Sequence, residues 1–265
     1  GRLRRRRCPM IEYETGDGIA TIRLARPERR NALSVEMIAG IGDALARAYD
    51  DPACRCVIVT GSGGHFCSGR ELGVPLDATL PSVLAYDDAY GAIFSRLQAL
   101  QKPSIAAVDG YAVAGGFTLA MGCDFVVATE SARFGAMEMQ NGFPAAMNTA
   151  LLAHLGAPRV VLEWLLTGES IAAQRLGELG LVNRIVADAG ALMAAARELA
   201  AALASRDVDA LRLGREAFMA ARQMPLAAAL NYGKNLNALL LASGRIGEAV
   251  QAFEARQHER RSRGG

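Results

Sequence analysis

The sequence predicts an α/β protein whose final third is helical. Three observations carry this. Apolar runs of strand length alternate with helix-length stretches through the first half; glycine-rich turns follow two of those runs; and beyond residue 190 the chain is rich in alanine and leucine, without strand signals. At 265 residues the natural arrangement is one large domain, or one domain with a helical appendage, and the core can be sizeable.

Residues 10–24 alternate and break at Gly16-Asp17-Gly18, which reads as a hairpin on a tight Asp-Gly turn. A loop over 25–33 leads to Ser34, an N-cap for a helix running to about Tyr49 that Asp51-Pro52 stops. A strand over 55–60 opens into the glycine loop 61–73, and residues 74–80 read as a mobile lid. A helix over 81–100 follows, ended by Lys102-Pro103. Strand 104–109, glycine turn 110–116, helix 117–121 and strand 124–128 come next. Helices are expected at 146–155 and 158–166, with a short one from Ala172, and the last strand at 181–187. Three helices complete the chain, at 191–204, 208–222 and about 225–256; their apolar content marks them as subunit-packing elements. The expected division is a basic disordered tail (1–9), a core (10–190) and a helical oligomerisation region (191–265).

Net charge is +2, but five arginines lie in the first seven residues; without them 24 basic residues face 27 acidic ones, a net of −3. The body is therefore mildly acidic, and the arginine run reads as a solvated end, not a nucleic-acid site. It has the charge of a signal peptide without the apolar stretch that should follow, and Met10 is a candidate start. No run approaches eighteen apolar residues, so no membrane partner is expected. The five cysteines (Cys8, Cys54, Cys56, Cys67, Cys123) form no C-x-x-C pair, which fits a reduced, cytoplasmic protein with buried structural thiols and no metal. Cys54 and Cys56 are expected on one face of a strand, and Cys67 as packing.

The chemistry centres on the two glycine turns. Each leaves the end of an apolar run, and the second leads straight into a helix. Glycine lets backbone approach a ligand with its N–H groups free, and a helix start adds positive potential, so the place suits an anion. Ala114-Gly115-Gly116-Phe117 has neither the Gly-Lys-Ser/Thr ending of a P-loop nor dinucleotide-type spacing, which argues against phosphate cradling. Two such turns can aim two N–H groups at one point, as stabilisation of a thioester or ester oxyanion requires.

Five segments carry a resemblance: Arg-Pro-Glu-Arg-Arg-Asn-Ala-Leu at 26–33, Phe-Cys-Ser-Gly-Arg-Glu at 66–71, Asp-Gly-Tyr-Ala-Val-Ala-Gly-Gly at 109–116, Leu-Ala-Met-Gly-Cys-Asp at 119–124 and Ala-Arg-Phe-Gly at 132–135. In order and spacing the chain from about Met10 onward resembles the crotonase (enoyl-CoA hydratase/isomerase) family. The resemblance implies a spiral core of repeated strand-strand-helix turns, C-terminal helices that build trimers or hexamers, and an acyl-CoA thioester substrate. Coenzyme A arrives as part of that substrate; no separate cofactor is implied. By the same resemblance the oxyanion N–H donors fall on Arg70 and Gly115, with Ser68, Gly69, Gly116 and Thr118 lining the substrate. Arg29 and Arg30 are candidates for the CoA phosphates, and Arg256 for a basic side chain lent to a neighbouring subunit.

Glu138 lies between two methionines, just ahead of the apolar Phe-Pro-Ala-Ala-Met at 143–147. Burial there would raise its pKa toward the range useful for proton transfer. It falls where the hydratases and isomerases of the resembled family place a catalytic glutamate. The family's hydratases use a second glutamate, and Thr118 stands in its position; the nucleophilic aspartate of the family's dehalogenases is replaced by Ala146. One base suffices to move a double bond, so isomerisation of an enoyl-CoA is the expected reaction. Hydration is the alternative, and an acyl-CoA binding protein without efficient chemistry the third reading. His65 reads as surface loop, His154 as a packed side chain, and Tyr86, Asp87, Asp88 and Tyr90 as a helix facing either the acyl pocket or solvent. Asn141 and Asn148 are nearby polar groups without an assigned role.

Overall fold

The computed structural model describes residues 10–71 and 79–244, together with residues 247 and 251. The expected lid falls mostly outside these residues, as do Arg256 and the arginine-rich start. Strands β1 (Ile11–Gly16) and β2 (Ile19–Leu24) form the antiparallel hairpin, turning at Asp17 and Gly18, both at positive φ. Helix α1 (Val35–Asp50) follows, and its first turn donates Met37 N–H to the Ser34 hydroxyl at 3.2 Å. Then come β3 (Cys56–Gly61), α2 (Leu80–Ala99), β4 (Ser104–Val108), β5 (Tyr111–Val113), α3 (Gly115–Gly122), β6 (Phe125–Thr129) and β7 (Arg133–Gly135). The rest runs α4 (Ala146–Leu152), α5 (Pro158–Thr167), β8 (Ile171–Ala172), α6 (Ala173–Glu178), β9 (Arg184–Val186), α7 (Ala189–Ala204), α8 (Val208–Ala221) and α9 (Leu226–Ala242).

Six strands form one sheet in the order β1-β2-β3-β4-β6-β9, parallel from β2 onward. Both faces are buried, which is why β3, β4 and β6 read as unbroken apolar runs. Val57, Val59, Ala106, Val108, Val126 and Ala128 point into the main core under α1 to α3; Cys56, Ile58, Ile105, Ala107 and Val127 point the other way, onto Leu192, Ala196 and Ala200 of α7. Cys54 packs in the main core and Cys56 in the second cluster, so the two thiols lie on opposite sides of the sheet and not on one face as expected. Cys54 precedes the strand, where the two-residue alternation does not hold. A second, three-stranded sheet, β5-β7-β8, was not foreseen.

The chain divides into two compact units, residues 1–211 and 212–265. The first holds both sheets and α1 to α7. The expected division at 190/191 cuts just inside α7, which covers a face of the main sheet and belongs to its core. The second unit contains most of α8 and all of α9, with Leu226, Leu230, Leu239 and Leu241 exposed. Helix α9 ends at Ala242 with Ser243 as its C-cap, short of the continuous helix expected to about 256. Among the described residues no helix is long and apolar enough to cross a membrane, and no three His, Cys, Asp or Glu side chains cluster as a metal site.

Candidate active site

Parallel neighbours β3 and β4 end side by side, so the loops that leave them meet. Cys67 N–H donates to Tyr111 C=O at 2.9 Å and Val113 N–H to Cys67 C=O at 3.1 Å, which pairs the two glycine turns as a short ladder. The 26–33 loop joins on the other side: Leu33 N–H donates to Gly69 C=O and Glu71 N–H to Leu33 C=O. Both bonds flank Arg70, so its own N–H faces away from Leu33 and has no acceptor among the described residues. Gly115, the first residue of α3, also presents an N–H without an acceptor among them. Gly69 and Gly115 approach so closely that a Cβ on Gly69 would lie 2.9 Å from Gly115 N and 2.6 Å from the Ala114 methyl carbon. Gly116 meets Cys67 in the same way, its absent Cβ falling 2.1 Å from Cys67 O.

Two features hold this arrangement. Buried Asn31 donates to Ser62 C=O (2.9 Å) and His65 C=O (2.7 Å) and accepts from Arg26 N–H (2.9 Å), tying the 26–33 loop to the first glycine turn. Ala114 takes φ 49° and ψ −127°, a backbone region costly for a residue with a Cβ, and its N–H donates to Gly135 C=O at 2.8 Å. That bond sets the end of β5 beside the end of β7, from which Glu138 follows in the 3-10 turn Met137–Asn141.

Glu138 is half-buried, and burial holds its carboxyl above the usual carboxylate range despite hydrogen bonds from its own N–H and Asn148 that pull it down. Its Oε1 accepts from Asn148 Nδ2 at 2.9 Å, while its Oε2 is buried without a partner among the described residues. Fully buried Asn148, on α4, accepts in turn from the Thr118 hydroxyl at 2.5 Å. Thr118 stands three residues, nearly one turn of α3, beyond Gly115. From α2, the buried Tyr90 hydroxyl donates to Gly115 C=O, and Tyr86 donates to Leu33 C=O at 2.9 Å. Burial pushes both phenols up, so both stay protonated donors. The Arg70 guanidinium stacks on the Tyr86 ring at 3.9 Å, with Nη1 3.6 Å from Asp87.

The structure thus brings together Glu138, Arg70, Gly115, Ser68, Gly69, Gly116 and Thr118. Arg29 and Arg30 are exposed beside them, their carbonyls accepting from Ser68 Oγ (3.4 Å) and Ser68 N–H (3.0 Å). Asn148 and Tyr90 acquire definite contacts that the sequence left open; only the contact map could supply them. His65 is partly exposed and stacks on Tyr111 with ring centres 5.2 Å apart. His154, expected packed in a helix, is exposed, because α4 ends at Leu152 and His154 lies in the turn that follows. Cys67 is fully buried, and its thiol is pushed up to about 12 by burial, so it stays a packed, protonated group.

An arrangement with two backbone N–H groups that lack an acceptor among the described residues and a half-buried carboxylate of raised proton affinity can polarise a carbonyl and move a proton next to it. Comparison with known proteins agrees with this chemistry. Residues 14–261 match the enoyl-CoA hydratase/isomerase family. The 2,3-dehydroadipyl-CoA hydratase of Escherichia coli is 33% identical over 89% of this chain and 91% of its own. The 1,2-epoxyphenylacetyl-CoA isomerase of the same organism is 32% identical over 91% and 93%. A crystal structure of an enoyl-CoA hydratase from Polaromonas sp. JS666 superposes with a TM-score of 0.85 at 32% identity, covering 93% of this chain and 97% of that one. Fold, motifs and relatives agree: the chain belongs to the enoyl-CoA hydratase/isomerase family.

Proposed function

We propose that this protein isomerises an enoyl-CoA thioester, moving a β,γ double bond into conjugation with the carbonyl. The observation that carries the reading is Glu138: its unpartnered, buried Oε2 sits in a network whose other members are the neutral Thr118 and Asn148, not a second carboxylate. Glu138 takes the proton from the substrate α carbon, and the released electron pair runs into the thioester as an enolate. Arg70 N–H and Gly115 N–H receive the charge on its oxygen. The electrons then return, the double bond forms between α and β carbons, and Glu138 delivers the proton to the γ carbon. Arg29 and Arg30 meet the CoA phosphates, as does Arg256, contributed from a neighbouring subunit. The assembly is a homotrimer or a hexamer in the cytoplasm, a reading supported by the exposed leucines of α9 and by the buried thiols of Cys54, Cys56 and Cys67, which form no disulfide among the described residues.

Hydration is the second reading, favoured by the hydratase names among the relatives. It needs a second group to activate water, and the Thr118 hydroxyl already donates to Asn148 and lies against the Tyr90 hydroxyl. The deciding experiment assays a 3-enoyl-CoA and a 2-enoyl-CoA with the parent, Glu138→Gln and Thr118→Glu. Isomerisation should outrun hydration in the parent, Glu138→Gln should lose about 100-fold or more, and Thr118→Glu should raise any hydration. Hydration outrunning isomerisation in the parent would overturn the assignment.

A further inference from the structure

The two oxygens of Glu138 are not equivalent. Oε1 is held by Asn148 Nδ2, whereas Oε2 is buried with no partner. Asn148 can hold Oε1 only while its amide presents nitrogen on that side, and an amide has no intrinsic preference for either orientation. The ionised carboxylate selects one, because it only accepts, and Thr118 braces the amide from the other side. Its hydroxyl donates to Asn148 Oδ1 at 2.5 Å; a flipped amide would turn that hydroxyl into an acceptor and set carbonyl oxygen against the carboxylate. All three side chains come from different elements, and Thr118 and Asn148 are buried to 1% and 0% exposure, so water does not substitute for either bond.

We propose that Asn148 is a positioning residue: braced by Thr118, it pins Glu138 Oε1 and reserves Oε2 for the travelling proton. The inference rests on Glu138 being the base, but not on which reaction follows. With Oε1 fixed, the carboxylate cannot rotate between taking the proton at one carbon and releasing it at another, and a single oxygen serves both. The threonine at the position of the second hydratase glutamate then has a task of its own, to brace the amide that positions the base. Burial raises the carboxyl, and the Asn148 bond, with the bond from Glu138's own N–H, opposes that rise.

The test reads Glu138 directly, through the 13C resonance of its carboxyl carbon followed against pH in the unliganded protein. Asn148→Leu keeps the volume and removes the donor; the titration should move to higher pH, and the acid limb of kcat/KM with it, while kcat falls on the order of 10-fold, the scale of one lost hydrogen bond to a charged group. A second pair guards against misfolding. Thr118→Ser keeps a hydroxyl and should retain the parent Glu138 titration, whereas Thr118→Val removes the bond that braces Asn148 Oδ1 and should shift it upward. An unmoved resonance titration in folded Asn148→Leu, or identical titrations in Thr118→Ser and Thr118→Val, would overturn the proposal. Because the resonance needs no turnover, its result stands whether isomerisation or hydration proves the faster reaction.

Discussion

Arg26 grips Glu71 with two parallel hydrogen bonds, Nη1 to Oε2 and Nη2 to Oε1, each 2.9 Å long. The clamp closes one residue beyond Arg70 and joins the loops whose mutual register aims the Arg70 N–H. Lysine keeps the charge but cannot make the paired bonds. Arg26→Lys should therefore lower kcat/KM about 10-fold, the scale of one lost charge-assisted bond, with circular dichroism unchanged. Steady-state kinetics on an acyl-CoA substrate measure it, and full activity would detach the clamp from the site.

The same pair sets a pH dependence. The Arg26 bond holds the Glu71 carboxyl below the usual carboxylate range, so its stabilisation is present at neutral pH and is lost as pH falls through that depressed range. Glu71→Gln should be less stable than the parent at pH 7, by about 1 kcal/mol after solvent screening. The gap should close in acid. Urea denaturation at several pH values gives the comparison; a gap that widens toward acid would contradict it.

Glu138 has the opposite sign. Burial raises its carboxyl, so the stability linked to it is present in acid and is lost as pH rises through the raised range. Glu138→Gln should be inactive yet gain stability over the parent from acid to neutral pH. Thermal melts of both proteins across that window check this, and a gap that shrinks with pH would refute the raised carboxyl.

Gly69 has φ +85° and no room for a Cβ between Ala114 and Gly115. Gly69→Ala must push the two turns apart, separating the N–H groups while leaving the sheet intact. Activity should fall about 100-fold or more, the cost of losing one oxyanion donor. The decisive comparison is turnover against the melting curve: native-like melting with near-normal turnover would remove the two turns from the chemistry.

Leu226 and Leu230 lie one turn apart on α9, 75% and 65% exposed. Their burial between subunits is the expected use of that surface. Sedimentation should give a trimer or a multiple of three, and Leu230→Glu should shift it toward monomer. A stable monomer of the parent at micromolar concentration would exclude this role.

Much of the fold is legible in the sequence because its strands are buried on both faces and its helices are capped. Val57 to Val59 and Ile105 to Val108 can be nothing but central strand, and Ser34 marks its helix to the residue. The small sheet is not legible. Tyr111–Val113 and Ile171–Ala172 are too short to show a period, and both pair with Arg133–Gly135 from distant parts of the chain. Glycine spacing pointed to the turns that hold Arg70 and Gly115, and an apolar neighbourhood to Glu138. The role of Asn148 depends on how α4 lies against α3, which no local pattern encodes. The exposure of His154 follows from α4 ending at Leu152, three residues short of the helix expected to 155.

Ala114 holds a backbone conformation that glycine would adopt at lower energy, and its methyl fills the space that Gly69 leaves vacant. Selection for heat resistance would thus favour Ala114→Gly, whereas selection for turnover would keep the methyl as the spacer between the two turns. A library scored on both properties would rank this one substitution in opposite orders. That makes residue 114 a marker for which pressure has acted on any descendant of this chain.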